Sequence, residues 1–197
     1  MIFFREFNEM PGFEQIALDQ CRGKILDVGA AAGCHALHLQ AKGFEVVALD
    51  VSKMSCDVMR GRGVQHVEQQ DIMDYTEGGF DTILLLMNGF GMGRQRDNTA
   101  ALLNHLKSLL NPGGQIIGDS TDILYFYEQD DGSIKIPAER FYGEVLFELE
   151  YRGLKERFDW LYLDPQTLCD IAEEVNLEVE EIRQGDFKDY LAILKRP

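Results

Sequence analysis

The chain is short of positive charge, of paired cysteines and of long apolar runs, and each shortage excludes a class of function. It has 19 Lys and Arg against 34 Asp and Glu, a formal net charge of −15. Nucleic-acid binding depends on Lys and Arg neutralising phosphates, so an acidic surface repels RNA, DNA and anionic membranes alike. From Asp119 to the C-terminus there are 20 acidic and 9 basic residues, so the excess is concentrated there. Solubility accounts for most of this charge, and a small neutral or cationic substrate, or a basic protein partner, stays open.

Cys21, Cys34, Cys56 and Cys169 form no C-x-x-C pair. They read as buried or helix cysteines of a reducing cytosol, which makes the expected location cytoplasmic. No set of His, Asp and Glu has metal-ligand spacing, so no metal is expected. The longest apolar runs are strand-length, too short to span a bilayer. The N-terminus has no basic region leading into a hydrophobic stretch, so no secretory signal is expected. Internal repeats and low-complexity segments are absent. With 197 residues, 45% of them hydrophobic, the chain reads as one domain over residues 1–197 with a sizeable core.

What is present concentrates in Lys24 to Leu37. A short apolar strand (Ile25, Leu26, Val28) enters a small-residue turn from Gly29 to Gly33. A helix with the apolar residues Leu37, Leu39 and Ala41 follows, then a strand over Glu45–Leu49 that ends in Asp50. Such a β-α-β unit, with a carboxylate at the tip of its second strand, suits a nucleoside-bearing cofactor. The dinucleotide fingerprint G-x-G-x-x-G places a pyrophosphate on the helix N-terminus. Here the small residues are Gly29, Ala31 and Gly33, and the third fingerprint position would be Cys34, too bulky for close strand–helix packing. Alanine in a left-handed conformation costs about 1 kcal/mol, so Ala31 is expected at negative φ. A β-α-β unit without a ligand is the competing reading of the turn.

The G-x-A-x-G rhythm, with Asp27 two residues before its first glycine, resembles motif I of the class I S-adenosylmethionine (SAM)-dependent methyltransferases. Later signals arrive in that family's order. Asp50 lies about twenty residues past the turn, where a carboxylate can accept from both ribose hydroxyls; capping the helix near Lys53–Gly61 is its alternative role, for which Ser52 competes. A short third strand over Val64–Gln69 precedes Gln70-Asp71-Ile72. The resemblance gives Asp71 the adenine amino group and sets Ile72 against the ring, with Asp74 near enough to be confused with Asp71. The carried-over cofactor residues are Asp27, Gly29, Ala31, Gly33, Asp50, Asp71 and Ile72, and Ala30, Val51 and Asn88 are also expected to bind the cofactor.

A fourth strand, Phe80–Met87, is apolar enough to be buried on both faces. It stops at Asn88-Gly-Phe-Gly-Met-Gly93, which should border the transferable methyl group, because ligands of open α/β sheets sit beyond the carboxyl ends of strands. Asn88 offers a donor and an acceptor there, and the competing reading is a glycine loop shaped only by its turns. The loop lacks the Asn/Asp-Pro-Pro-Tyr signature of adenine and glutamine N-methyltransferases. An amphipathic helix over Asn98–Leu110 is broken by Asn111-Pro-Gly-Gly114, and Gln115–Asp119 is a fifth strand. Asp164-Pro165 introduces a helix over Gln166–Val175. Leu177–Ile182 and Tyr190–Leu194 then read as strands joined by a loop containing Gly185 and Asp186. The fold expected is α/β: a Rossmann-like three-layer αβα sandwich with a seven-stranded, mostly parallel sheet and a C-terminal antiparallel hairpin.

Two segments exceed that core. Residues 120–163 read as an insertion covering the substrate, with Glu144–Arg152 and Lys155–Leu163 as an inserted β-hairpin after the fifth strand. Residues 1–20 carry Phe3, Phe4 and Phe7, lack a core role, and suit a lid; filling a secondary core is the plainer reading of these aromatics. No secure catalytic base is legible. His35, one turn into the first helix, is placed to approach the cofactor, but a packed or surface residue is the plainer reading of it and of His38; Asp119, Ser120 and Asp122 are the best substrate-contact candidates.

The resemblance implies a small stand-alone methyltransferase of the bacterial type. SAM would be its cofactor, S-adenosylhomocysteine its product, and an O, N or S nucleophile of a small-molecule acceptor its target, by in-line displacement. Neither nucleic acid nor membrane is an expected partner, and monomer and homodimer both stay open. Two alternatives remain: a non-catalytic SAM-binding regulatory protein, and an NAD(P)-dependent oxidoreductase, disfavoured by the turn spacing and the terminal hairpin.

Overall fold

A computed structural model describes residues 2–185 and 187–197; Met1, at the start of the expected lid, and Asp186, in the expected hairpin loop, lie outside them. In chain order the elements are α1 (Gly12–Asp19), β1 (Ile25–Val28), α2 (Cys34–Ala41), β2 (Val46–Asp50), α3 (Lys53–Arg62), β3 (His66–Gln69), β4 (Phe80–Leu85) and α4 (Arg96–Leu109). There follow β5 (Leu110–Thr121), β6 (Glu144–Tyr151), β7 (Leu154–Leu161), α5 (Pro165–Glu174), β8 (Glu178–Gln184) and β9 (Asp189–Lys195). Seven strands form one sheet in the order β3-β2-β1-β4-β5-β9-β8, while β6 and β7 pair separately. Pairings are parallel from β3 through β5, and β9 runs antiparallel to both β5 and β8. This is the Rossmann-like arrangement with its terminal hairpin and inserted ribbon.

Helices cover both faces because the central strands are apolar on both. Ile83 and Leu85 of β4 pack with Leu102, Leu103 and Leu106 of α4 and with Leu168 and Ile171 of α5. Leu84, between them, faces the opposite cluster with Ala17 and Leu18 of α1, Leu39 of α2 and Met59 of α3. Helix α1 is therefore part of the core: Ala17 and Leu18 are buried, as is Met10 just before it. The lid expectation shrinks to the two short turns Ile2–Phe4 and Phe7–Glu9.

Ser52 caps α3, accepting from the Ser55 N–H at 3.3 Å, and Asp164 caps α5 ahead of Pro165. Asn111-Pro-Gly-Gly114 does not separate α4 from β5. The strand begins at Leu110, runs through those residues as a bulge opposite Phe80 and Thr82, and continues to Thr121. Asp119 lies in the expected strand, and the two added residues at its far end bring Thr121 beside Asn88, just past β4. Among the described residues, no helix is long and apolar enough to cross a membrane.

Phe90, in the turn Gly89–Gly93 after β4, is fully buried in the cluster that holds α4 and α5, and so anchors the turn. Phe90→Ala is expected to cost about 3–5 kcal/mol, the range for emptying a buried aromatic site. An unchanged urea midpoint would show that something else holds this turn.

Candidate functional site

Two cavities open beyond the carboxyl ends of the parallel strands. The larger, about 610 Å³, is lined by Asp50 and Val51 after β2, by Asp71, Ile72 and Asp74 after β3, and by Met92, Arg94 and Asn98 ahead of and within α4. The smaller, about 290 Å³, is lined by Asp27, Gly29, Ala30, Ala31, Cys34 and His35, by Leu86, Met87 and Gly89 after β4, and by Phe3. Val28, Gly29, Met92 and Trp160 belong to both. The two cavities thus adjoin over the end of β1, with Trp160 of β7 in the wall of both.

The glycine turn is built differently from the expectation at one position. Ala31 has φ +50°, not a negative value, between Gly29 at +72° and Gly33 at +76°. Its left-handed conformation costs about 1–2 kcal/mol, and the turn is held by a hydrogen bond from the Ala31 N–H to Asp50 Oδ2 at 2.9 Å. The other Asp50 oxygen accepts from the Ser52 N–H at 2.8 Å. Asp50 therefore shapes the turn and also faces the larger cavity. Gly33 does not reach either cavity wall. A Cβ there would lie 2.9 Å from Val64 and 3.1 Å from Met59, so this glycine serves the packing of α2 on α3.

Asp27 sits in β1, buried, with Oδ2 lacking a partner among the described residues. Burial pushes its carboxyl above the usual range, and the nearby His35 charge opposes that shift. Asp71 accepts from the Met73 N–H at 2.9 Å, starts the turn Ile72–Asp74 and lines the larger cavity.

Asn88 is also absent from the walls. Its side-chain oxygen accepts from Thr121 Oγ1 at 3.0 Å, and its N–H donates to both Asp119 oxygens at 3.1 and 3.0 Å. Met87 and Asn88 are left-handed in succession, at φ +65° and +60°, a strained pair. Ser120 is fully buried, its hydroxyl accepting from the Leu163 N–H, and Asp122 accepts from Tyr142 Oη and the Leu124 N–H. Both hold the insertion, and neither lines a cavity. Among the described residues, no cluster suited to a metal occurs.

A buried charge cluster that no sequence motif marks lies at the smaller cavity. Glu14 of α1 receives Arg5 at 2.9 Å and His35 Nε2 at 2.8 Å, and Arg5 also approaches Met87 Sδ at 3.8 Å. Burial would lower the His35 pKa, but hydrogen bonds with Cys34 and Glu14 and the Asp27 charge push it up to about 10. His35 is thus a packed histidine, held on the Glu14 carboxylate and lining the smaller cavity. Its signal was weak: one histidine at the start of a helix, with a partner 21 residues away. Trp160 and Arg94 are further wall residues that sequence reasoning did not single out, whereas Met92 belongs to the loop expected beside the methyl group.

A family model described as a methyltransferase domain matches residues 9–182, and the chain belongs to that family. It is 43% identical to a SAM-dependent methyltransferase from Bacteroides fragilis, whose crystal structure is a complex with S-adenosylhomocysteine. That likeness has a TM-score of 0.90 and covers 98% of this chain and 79% of that one. The cypemycin N-terminal methyltransferase of a Streptomyces species is 32% identical over 123 residues, 59% of this chain; the match spans half the length of that curated relative. A SAM-dependent methyltransferase structure from Methanosarcina mazei, 14% identical at a TM-score of 0.73 over 92% of this chain and 96% of that one, shares the fold.

Glu14→Gln would leave Arg5 and His35 buried without a counter-charge, at a cost of about 3–5 kcal/mol. His35 is raised above its unfolded value of about 6.5, so its stabilisation is complete below that pH and is lost as pH rises through about 10. Urea midpoints of wild type and Glu14→Gln should therefore differ most at pH 6, and the gap should narrow toward pH 10 to the part owed to Arg5. A gap that does not depend on pH would take His35 out of the pair.

Proposed function

We propose, from its place in the methyltransferase-domain family, that this protein is a SAM-dependent methyltransferase with a small-molecule acceptor. The observation that carries the reading is the pair of cavities meeting at Gly29, Met92 and Trp160. SAM is an adenosine joined to a methionine through a sulfonium, and the two cavities have the polarity these halves need. The adenosine lies in the larger one, its ribose hydroxyls on Asp50 and its adenine between Val51 and Ile72 with Asp71 at the amino group. The methionine lies in the smaller one, along Gly29, Ala30 and Ala31. There the unpartnered Asp27 oxygen accepts from the ammonium, while Arg5 and His35 supply positive charge for the carboxylate. Gly33 and Asn88 contribute by shaping the turns. These residues fit the cofactor without a metal.

When bound, SAM supplies a sulfonium-activated methyl carbon, which an acceptor nucleophile takes in line with the breaking carbon–sulfur bond. The chain's task is to position the two partners and exclude water, which supplies much of the rate in such a transfer. Trp160 lines the junction, Phe3 closes the smaller cavity from the N-terminal side, and the insertion over residues 120–163 walls the acceptor's approach. Residues 2–9 form the lid. The acceptor presents O, N or S. Nitrogen is the first to test, since the Streptomyces relative is named as an N-terminal methyltransferase. The acidic C-terminal half favours a neutral or cationic acceptor over a nucleic acid.

Calorimetric titration should give micromolar binding of SAM and S-adenosylhomocysteine and none of NADH. The single tryptophan, Trp160, should change its emission on the same titration. Binding of NADH alone would overturn the reading in favour of redox chemistry. Asp50→Ala should weaken S-adenosylhomocysteine binding by about 1.5–3 kcal/mol, the range for hydrogen bonds to a charged group. Unchanged affinity in a folded Asp50→Ala variant would remove that carboxylate from the site.

A further inference from the structure

We infer that Asp119 is a positioning residue: its carboxylate holds the left-handed Met87–Asn88 turn against the smaller cavity and so sets the affinity for the methionine half of the cofactor. The inference rests on the SAM reading above. Met87 and Gly89 form one wall of that cavity, and neither Met87 nor Asn88 has the conformational freedom of glycine at its positive φ. Three contacts keep the turn in place. Asp119 takes the Asn88 N–H on both oxygens, Thr121 holds the Asn88 side chain, and Arg5 lies against Met87 Sδ. Of these side chains only Asp119 holds the backbone, at the Asn88 N–H, while the Asn88 carbonyl accepts from the Gly91 N–H at 3.0 Å.

Its carboxylate is costly where it sits. Burial pushes the pKa up to about 6, opposed by the Asn88 and Gly89 N–H groups and by His35 of α2, and reinforced by Glu14 of α1. Tyr190 of β9, paired opposite Ser120, feels its charge from the other face of the sheet, and Arg5 reaches the cluster through Glu14. The folded carboxyl keeps its proton to a higher pH than the unfolded one. Its contribution to stability is therefore full below about pH 3.8 and declines as pH rises through about 6. The hold on the turn runs the other way, because only the ionised group accepts at both oxygens without presenting a proton to an N–H. Stability and cofactor affinity should move in opposite directions, a separation that a purely structural role does not produce.

The test uses Asp119→Asn, which copies the protonated shape, with S-adenosylhomocysteine as the probe. At pH 7.5 the variant should bind at least tenfold more weakly while melting no lower than wild type. Between pH 7.5 and 5 wild-type affinity should fall, and that of Asp119→Asn should fall less. Adding Asn88→Gly, which relaxes the strained position, should restore affinity to the Asp119→Asn protein. Equal affinity of Asp119→Asn and wild type overturns the inference. So does a loss of affinity matched by a lower melting temperature and not rescued by Asn88→Gly. Wild-type protein that ignores S-adenosylhomocysteine at pH 7.5 overturns the SAM reading and this inference with it, whereas binding that survives Asp119→Asn intact overturns the inference alone.

Discussion

Two carboxylates at strand ends, Asp50 on β2 and Asp119 on β5, hold the backbone turns on which the rest of the site depends. Each accepts from the N–H of a non-glycine residue in the left-handed region: Ala31 for Asp50, Asn88 for Asp119. Side chains rarely adopt that region because Cβ crowds the following carbonyl, and a charge-assisted hydrogen bond is strong enough to offset the crowding. The turns lie over neighbouring central strands, β1 and β4, which pair directly. The walls of the smaller cavity are therefore set by two acidic groups that themselves sit at the strand ends. An acidic site of this kind needs buried positive charge nearby.

That positive charge comes from Arg5 and His35, which share Glu14 between them. The three side chains belong to the N-terminal segment, α1 and α2, so one buried carboxylate ties three separate pieces of chain to the cavity. Removing one partner of such a cluster leaves an uncompensated charge in a low-dielectric interior, which makes these groups act as a unit. Phe7, stacked on His38 of α2 at 4.2 Å, and Phe4, under the Arg62 guanidinium of α3, fasten the same segment at two further points. The first residues of the chain are thus latched by specific contacts on α2 and α3, while Ile2, Phe3 and Phe4 still present apolar surface.

What was legible in the sequence was local. Apolar runs and punctuating Gly and Pro located the strands of the main sheet, the ribbon and α2 through α5, because periodicity and turn chemistry act over a few residues. Asp27, Asp50 and Asp71 were picked out by the methyltransferase motifs that the sequence resembles, and they line the two cavities. The rest depended on contacts across the fold. The φ of Ala31 is set by a carboxylate 19 residues away; from alanine alone the opposite sign is the sound inference. Asn88 looked free to meet a ligand, but Thr121, brought alongside by the extra length of β5, takes its oxygen. His35 looked ordinary because Glu14 lies on a helix that the sequence did not distinguish from a lid.

The inserted ribbon is seated in the site, and its seating explains why its outer half differs in character from its base. Paired residues alternate between two faces. Val145 with Trp160 and Phe147 with Phe158 fall on one, continued outward by Tyr151 with Leu154; Glu148 with Arg157 and Glu150 with Lys155 fall on the other, as ion pairs. At the base, Trp160 lies so close to the turn after β4 that a Cβ on Gly91 would come within 2.2 Å of its Nε1. Any larger residue at Gly91 would push the indole from the junction of the two cavities. The base is thereby coupled to the same turn that Asp119 holds, while Tyr151 and Leu154 remain exposed. A two-stranded ribbon is marginal alone in water, so its order comes from the base, where Leu161 is buried in the core beside Phe90. Sequence change at the tip can then alter what approaches the site without disturbing the residues that line it.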